Sequence, residues 1–363
     1  MKKSNHKIIL TGGHAGTAAL SVVEEIKKQN LDWDIHWIGP KNAIEGKKTL
    51  SLEYKYFGKS NIKFHPIIFG KLHRRFSIWT IISIFKFPIG FIQALYFLIS
   101  IRPFSVLSFG GFAAFPVVAI SKILGVPVFI HEQTAVAGRA NIISAKFADK
   151  VLISRKTSEP YFPKNKSLLV GNPILSQYFE KINLSKSGIK TILIIGGSRG
   201  SQQINNIVKE ILIELLEKYK IIHLTGELDY QEFEKVKNNL TKNKANYIVF
   251  STVDPYEMIK IYGQSDIAIS RAGANTVSEL IALNIPSVFI PIPWSYLNEQ
   301  TKNAESASDY IHSVILNQNS LTPEILIQAI EKLFNLKELN RNNNYLDKEA
   351  SKKIVMLLKD YIK

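Results

Sequence analysis

A strand that runs straight into a glycine turn and then a helix occurs twice in this chain, and that repetition restricts the fold most. The first is Lys7 to Thr11, then Gly12-Gly13-His14, then a helical pattern from Ala15 to Gln29. The second is Thr191 to Ile195, then Gly196-Gly197-Ser198-Arg199-Gly200, then a helical pattern from Gln202 to Tyr219. Asp34 to Ile38, Ser105 to Ser108, Val126 to Ile130 and Lys150 to Ile153 read as further strands after the first. Ile221 to Leu224, Asp266 to Ile269 and Ser287 to Ile290 follow the second. Strands alternating with helices predict α/β sheets that are parallel and covered on both faces. The 363 residues exceed one ordinary core. The expectation is therefore two Rossmann-like domains, residues 1–173 and 174–342, with Gly171 to Lys190 holding the connector. A last helix within residues 343–363 is expected to pack back on the first domain.

Composition narrows the function classes. There is no cysteine, which removes disulfide scaffolds, thiolate zinc sites and cysteine nucleophiles. The formal net charge of +16 draws the chain toward nucleic acid, anionic lipid or a phosphorylated substrate. No zinc finger or RNP-type motif supports nucleic acid. The apolar run after Met1 to Lys7 is too short for a signal peptide core. Phe76 to Ile101 is apolar, but Lys86, Pro88, Gly90 and Gln93 interrupt it. Two docked helices, or one kinked at Pro88, fit it better than a membrane span. Lys71, His73, Arg74 and Arg75 just precede this stretch. A basic lead-in to an apolar segment suits a protein lying on an anionic membrane face; a core helix after a solvated basic loop fits equally well.

Four glycine turns fall at the carboxyl ends of strands, where open α/β sheets bind ligands. Beyond the two already named, they are Gly110-Gly111 and Arg271-Ala272-Gly273-Ala274-Asn275. Backbone N–H groups at such turns favour an anion. The first turn is not a clean G-x-G-x-x-G, which argues against a nicotinamide oxidoreductase. Tyr256 and Lys260 match Tyr-x-x-x-Lys only as residues one turn apart on a helix. Asp32-Trp33-Asp34 is a literal D-x-D and reads as solvated acids entering a strand. His131-Glu132-Gln133 starts like H-E-x-x-H, but Ala135 ends the match. His14 stands at a helix N-terminus, where the dipole keeps imidazole neutral and suited to a general base; helix capping is the competing role.

Taken in order, these segments resemble the MurG family of N-acetylglucosaminyltransferases over nearly the whole chain. The shared set is Thr11-Gly12-Gly13-His14, Ser108-Phe109-Gly110-Gly111-Phe112, His131-Glu132-Gln133 with Ala137-Gly138 and Asn141, and Gly171-Asn172-Pro173. It continues through Gly196-Gly197-Ser198-Arg199-Gly200-Ser201 with Asn205, Ser270-Arg271-Ala272-Gly273-Ala274 with Ser278-Glu279, and Gln300 with Asn303-Ala304. The resemblance implies a GT-B fold, two Rossmann-like domains facing a cleft. It implies inverting transfer from UDP-GlcNAc to an undecaprenyl-linked acceptor, with no metal and no cofactor, at the cytoplasmic face of the cell membrane. Donor-binding roles then fall to Ser198, Arg199, Gly200, Ala274, Asn275, Thr276, Glu279, Glu299 and Gln300. Acceptor-binding roles fall to Thr11, Gly12, Gly13, Gly110, Gly111, Gln133 and Asn141. His14 is implied as the base, with Glu132 as the other catalytic candidate. The chain departs from the family pattern at Ile9 and Leu10, at Ala15-Gly16-Thr17, and at Leu175, where arginine is common. Other readings on the same scaffold are a different lipid-acceptor transferase, a UDP-sugar epimerase and a non-catalytic nucleotide-sugar-binding module.

Overall fold

The computed structural model describes residues 6–13, 15–42, 50–68, 78–180, 188–197, 200–336 and 345–362. It divides the chain into two units: residues 1–175 with 346–363, and residues 176–345.

The first unit opens with β1 (His6–Thr11), whose Ile8, Ile9 and Leu10 are all fully buried. A strand apolar on both faces belongs inside a covered parallel sheet. Next come α1 (Gly16–Lys28), β2 (Trp33–Gly39), the short α2 (Leu52–Tyr56) and β3 (Lys63–Pro66). They are followed by α3 (Ile78–Ile101), β4 (Ser105–Ser108), α4 (Phe115–Ile123) and β5 (Val128–Glu132). The series closes with α5 (Arg139–Ser144), β6 (Lys150–Ile153) and β7 (Ser167–Leu169). All seven strands pair in parallel in the order β3-β2-β1-β4-β5-β6-β7. The order reverses between β1 and β4, the switch point at which such sheets bind ligands.

The apolar stretch expected to be docked is the single helix α3, with Pro88 inside it. Pro88 donates no backbone hydrogen bond, which weakens the helix at that turn. Ala94, Leu98 and Ile101 pack with Ile9, Ile38, Ile67, Val106 and Val117, so one face is core. The other face leaves Ile89, Ile92, Tyr96 and Ile99 exposed, the middle two by about two-thirds. Among the described residues, no helix is long and apolar enough to cross a membrane. Lys71, His73, Arg74 and Arg75 lie outside the described residues.

The second unit repeats the plan. β8 (Thr191–Ile195) leads to α6 (Gln202–Lys218), β9 (Lys220–Leu224), α7 (Tyr230–Asn238) and β10 (Tyr247–Phe250). Then come α8 (Met258–Gln264), β11 (Ile267–Ser270), α9 (Ala274–Ala282) and β12 (Ser287–Phe289). α10 (Glu299–Ala307), β13 (Ser313–Ile315) and α11 (Pro323–Asn335) complete it. Its parallel sheet runs β10-β9-β8-β11-β12-β13, with the switch point between β8 and β11. α6 buries Ile204, Ile207, Val208, Ile211, Leu212, Leu215 and Leu216, a helical-period stripe. At about 1.5–3 kcal/mol for each fully buried aliphatic side chain, that stripe outweighs the cost of starting the helix.

The chain then returns to the first unit. α12 (Ala350–Lys359) packs on α1, burying Ala350, Ile354, Val355 and Leu358. Its approach is fixed by Asp347, fully buried, which takes two hydrogen bonds from Arg155 at 2.6 and 2.9 Å. The Asn172 backbone N–H adds a third at 2.8 Å. A buried carboxylate paired and bonded in this way costs several kcal/mol if its partner is removed.

Candidate active site

The first switch point gathers the loops after β1, β4 and β5. Phe109 N–H donates to the Thr11 carbonyl at 2.8 Å, and Gly13 N–H to the Gly110 carbonyl at 3.0 Å. Thr11 is itself buried, its hydroxyl donating to the Ile38 carbonyl at 2.7 Å. Gly110 has φ +85°, and a Cβ there would stand 2.5 Å from Asn141 Oδ1. Only glycine fits both the left-handed backbone and that approach. Gln133 Nε2 donates to the Phe109 carbonyl at 3.2 Å, and Gly12 lies against Phe109 and Trp37. The fold thus brings Thr11, Gly12, Gly13, Gly110, Gly111, Gln133 and Asn141 to one sheet edge. His14 lies outside the described residues.

Glu132 is buried at the end of β5 and fully occupied. Its Oε1 accepts from Thr134 N–H at 3.1 Å and the Thr134 hydroxyl at 2.8 Å. Its Oε2 accepts from Gly138 N–H at 2.9 Å and Asn141 Nδ2 at 2.8 Å. Burial raises its pKa above the ordinary carboxyl value, and these four donors pull it back. Its neighbour His131 donates its Nε2–H to the Gly171 carbonyl at 2.9 Å, and burial lowers its pKa to about 4. His131 is therefore a neutral ring inside the core.

A residue absent from the sequence reading sits at the start of α1. Glu53, buried on α2, accepts from Ala15 N–H at 2.9 Å through Oε1. Burial raises its pKa, while bonds from the Ala15 and Gly16 backbone lower it. The N-terminal end of α1, a favourable place for an anion, is held by the protein's own carboxylate. No local signal marks this role, because Glu53 and Ala15 are 38 residues apart.

The second switch point lies between the turns after β8 and β11. Gly200 has φ +76°, and a Cβ there would fall 2.1 Å from the Thr225 carbonyl oxygen, so the turn needs glycine. Ser201 caps α6 by accepting from Ile204 N–H. Ser198 and Arg199 lie outside the described residues. After β11, the N-cap of α9 is Gly273, which carries no side chain to cap the helix, and Ala274, Asn275 and Thr276 form the first turn. Arg271 stands between the two turns. Its guanidinium donates to Ser201 Oγ at 3.0 Å, the Ile290 carbonyl at 2.8 Å and Gln318 Oε1 at 2.6 Å. Burial lowers its pKa to about 10, so it stays cationic at neutral pH.

Glu279 lies on α9, two turns from Gly273, and is 7% exposed. Its Oε2 accepts from the Tyr262 hydroxyl at 2.7 Å. Burial raises its pKa to about 7, with the Tyr262 bond acting in the other direction. Asn303, on α10, ties the β11–α9 turn through its Nδ2 to the Ala272 carbonyl at 3.0 Å. Gln300 Oε1 accepts from Ile292 N–H at 3.0 Å, fixing the loop between β12 and α10, and Glu299 begins that helix. Leu175, where the family commonly has arginine, is fully buried at the end of the first unit.

The glycosyltransferase family 28 N-terminal domain matches residues 8–153, and the glycosyltransferase family 28 C-terminal domain matches residues 191–358. The chain belongs to glycosyltransferase family 28, the family of MurG. Its relative in Clostridium novyi (strain NT) is named UDP-N-acetylglucosamine--N-acetylmuramyl-(pentapeptide) pyrophosphoryl-undecaprenol N-acetylglucosamine transferase. The two are 33% identical over 374 residues, covering 99% of this chain and 100% of the relative. The crystal structure of Acinetobacter baumannii MurG matches with a TM-score of 0.66 at 24% identity, covering 98% of this chain and 99% of that one. UDP-GlcNAc 2-epimerase from Neisseria meningitidis, bound to UDP-GlcNAc, matches with a TM-score of 0.67 at 15% identity, covering 98% and 100%. Both likenesses show the fold, two parallel-sheet α/β domains of the GT-B class. Within family 28, the two other motifs weighed above have structural uses here. Asp34 pairs with Lys63 at 2.7 Å on the β2–β3 edge. Tyr256 precedes α8 and Lys260 pairs with Glu257 at 2.5 Å.

Proposed function

We propose that this chain transfers N-acetylglucosamine from UDP-GlcNAc to undecaprenyl-pyrophosphoryl-MurNAc-pentapeptide, converting lipid I to lipid II. It does so while lying on the cytoplasmic face of the cell membrane. The observation that carries this reading is the start of α9 at a glycine N-cap followed, five residues on from Ala274, by the buried carboxylate of Glu279. Five residues rise about 7.5 Å, a spacing that lets one helix take both a diphosphate and the ribose of the same nucleotide.

On this reading, backbone N–H groups of Ala274, Asn275 and Thr276, with Ser198, Arg199 and Gly200, take the diphosphate. Glu279 accepts the ribose hydroxyls, and Glu299 and Gln300 read the sugar. As the bond from the anomeric carbon to UDP breaks, negative charge grows on the departing phosphate, where the helix N-terminus favours it. The acceptor hydroxyl forms the new bond on the opposite face and passes its proton to His14. The acceptor diphosphate lies in the cradle of Thr11, Gly12, Gly13, Gly110, Gly111, Gln133 and Asn141. Glu132, with all four bonds directed at the 134–141 segment, shapes that cradle. The exposed apolar face of α3 supports a membrane seat.

The test follows UDP-GlcNAc turnover with and without a lipid I analogue in anionic vesicles. UDP release together with lipid II formation, dependent on the acceptor, is the expected result. Acceptor-independent conversion of the sugar to its 2-epimer, or binding without turnover, would replace this reading.

A further inference from the structure

We propose that Tyr262 is a positioning residue of the donor site, holding the Glu279 carboxylate in the orientation and ionisation state that ribose binding requires. The inference rests on the proposed ribose role of Glu279 and adds to it a second residue, from a different helix. The Tyr262 ring is buried in the second unit, and its hydroxyl donates to Glu279 Oε2 at 2.7 Å. A buried carboxylate has few ways to stay charged, and a short bond from a neutral hydroxyl is one of them. With Oε2 engaged, Oε1 is the oxygen without a hydrogen bond among the described residues, which leaves it as the acceptor available to a ribose hydroxyl.

Tyr262 is itself fixed. Its ring meets Tyr178 edge to face at 5.8 Å between centroids, and the Tyr178 hydroxyl donates to the Pro255 carbonyl at 3.2 Å. Burial and the nearby Glu279 raise the Tyr262 pKa well above the ordinary phenol value, so it remains a donor at any physiological pH. The other groups around α9 are engaged elsewhere. Tyr345 gives its hydroxyl to the Ser278 carbonyl, and Arg271 is held by Ser201, Ile290 and Gln318. α10 turns the neutral Asn303, Ala304 and Ala307 inward. Burial and the Tyr262 bond are therefore the influences that set the charge of Glu279.

The sign follows from those two influences. Burial lifts the Glu279 pKa to about 7, and the bond from Tyr262 keeps it from rising further. Binding that needs the carboxylate strengthens as pH climbs through that value and levels above it. Removing the hydroxyl moves the rise to higher pH.

The experiment measures UDP-GlcNAc affinity, without acceptor, from about pH 5.5 to about pH 8.5 for wild type, Tyr262→Phe, Glu279→Gln and the double variant. The diphosphate diester of this probe carries no titrating proton in that range. The expected result is about a tenfold loss at pH 7 in Tyr262→Phe, shrinking as pH rises, with the midpoint moved up. In the Glu279→Gln background, Tyr262→Phe should add no pH dependence. A loss in Tyr262→Phe that is equal at every pH would make Tyr262 a packing residue and overturn the proposal. So would an unchanged profile in Tyr262→Phe while Glu279→Gln binds weakly. Wild-type affinity in Glu279→Gln would instead remove the ribose role of Glu279, a separate failure. Melting temperatures of all four proteins identify any variant that is misfolded.

Discussion

Among the described residues three glutamates are buried, and the donors around each decide what it can do. Glu132 is met by four donors and Glu53 by the start of α1, so both are spent inside the fold. Glu279 is met by Tyr262 alone among the described residues, leaving capacity for a ligand. That capacity is costly. A carboxyl with a raised folded pKa favours the fold fully below its unfolded pKa of 4.5, and the contribution is lost as pH rises to about 7. Glu279→Gln should therefore be more stable than wild type at pH 8, by at most about 3 kcal/mol, and no more stable near pH 4.5. Denaturant unfolding at the two pH values checks this. The same variant should bind UDP-GlcNAc more weakly, a loss of function accompanied by a gain in stability. A destabilised Glu279→Gln at pH 8 would mean the carboxylate is better satisfied in the free protein than its single partner indicates.

At the scale of elements, α3 joins a core face to an exposed apolar one. Its inner face is core, and its outer face leaves Ile92 and Tyr96 in water. If that face meets anionic lipid, Ile92→Glu with Tyr96→Glu should release the protein from anionic vesicles without lowering its melting temperature. Reversing the charges of Lys71, Arg74, Arg75 and Lys86 should do the same, each contributing on the order of 1 kcal/mol near the surface. Raised salt should weaken the charge contribution. Sedimentation with vesicles at low and high salt separates these outcomes, and vesicle binding indifferent to all six changes would remove α3 from the membrane reading. The helix also illustrates how far periodicity reaches. Its apolar character and Pro88 were plain in the sequence, but the choice between one helix and two was not, because proline marks a weak turn and not always a break. Strands β3, β7, β10 and β13, of three or four residues, escaped notice for a related reason. All four are edge strands, partly open to solvent, so burial holds them less strictly to the apolar run that marks the equally short central strands.

At the scale of the molecule, the residues proposed for the acceptor belong to one unit and those proposed for the donor to the other. That division predicts separable defects. His14→Ala should lower kcat by about 10²–10⁴-fold, the usual worth of a general base, while UDP-GlcNAc affinity stays near wild type. Single-turnover rates and calorimetry on the same protein check it, and turnover per folded molecule within a few-fold of wild type would exclude His14 as the base. The parallel sheets, the four glycine turns at strand ends and their order along the chain were determined by the sequence alone. Apolar strands and glycine turns are local patterns, and a parallel sheet places the strand ends together. Tertiary structure alone decided which polar groups remain available at those ends. Glu53 reaches Ala15 across 38 residues, Tyr262 reaches Glu279 from the preceding helix, and Asp347 reaches Arg155 from the far end of the chain. Such bonds form between residues with no fixed spacing, so no local pattern announces them. In a buried site they determine whether a carboxylate holds the fold together or is left to hold a ligand.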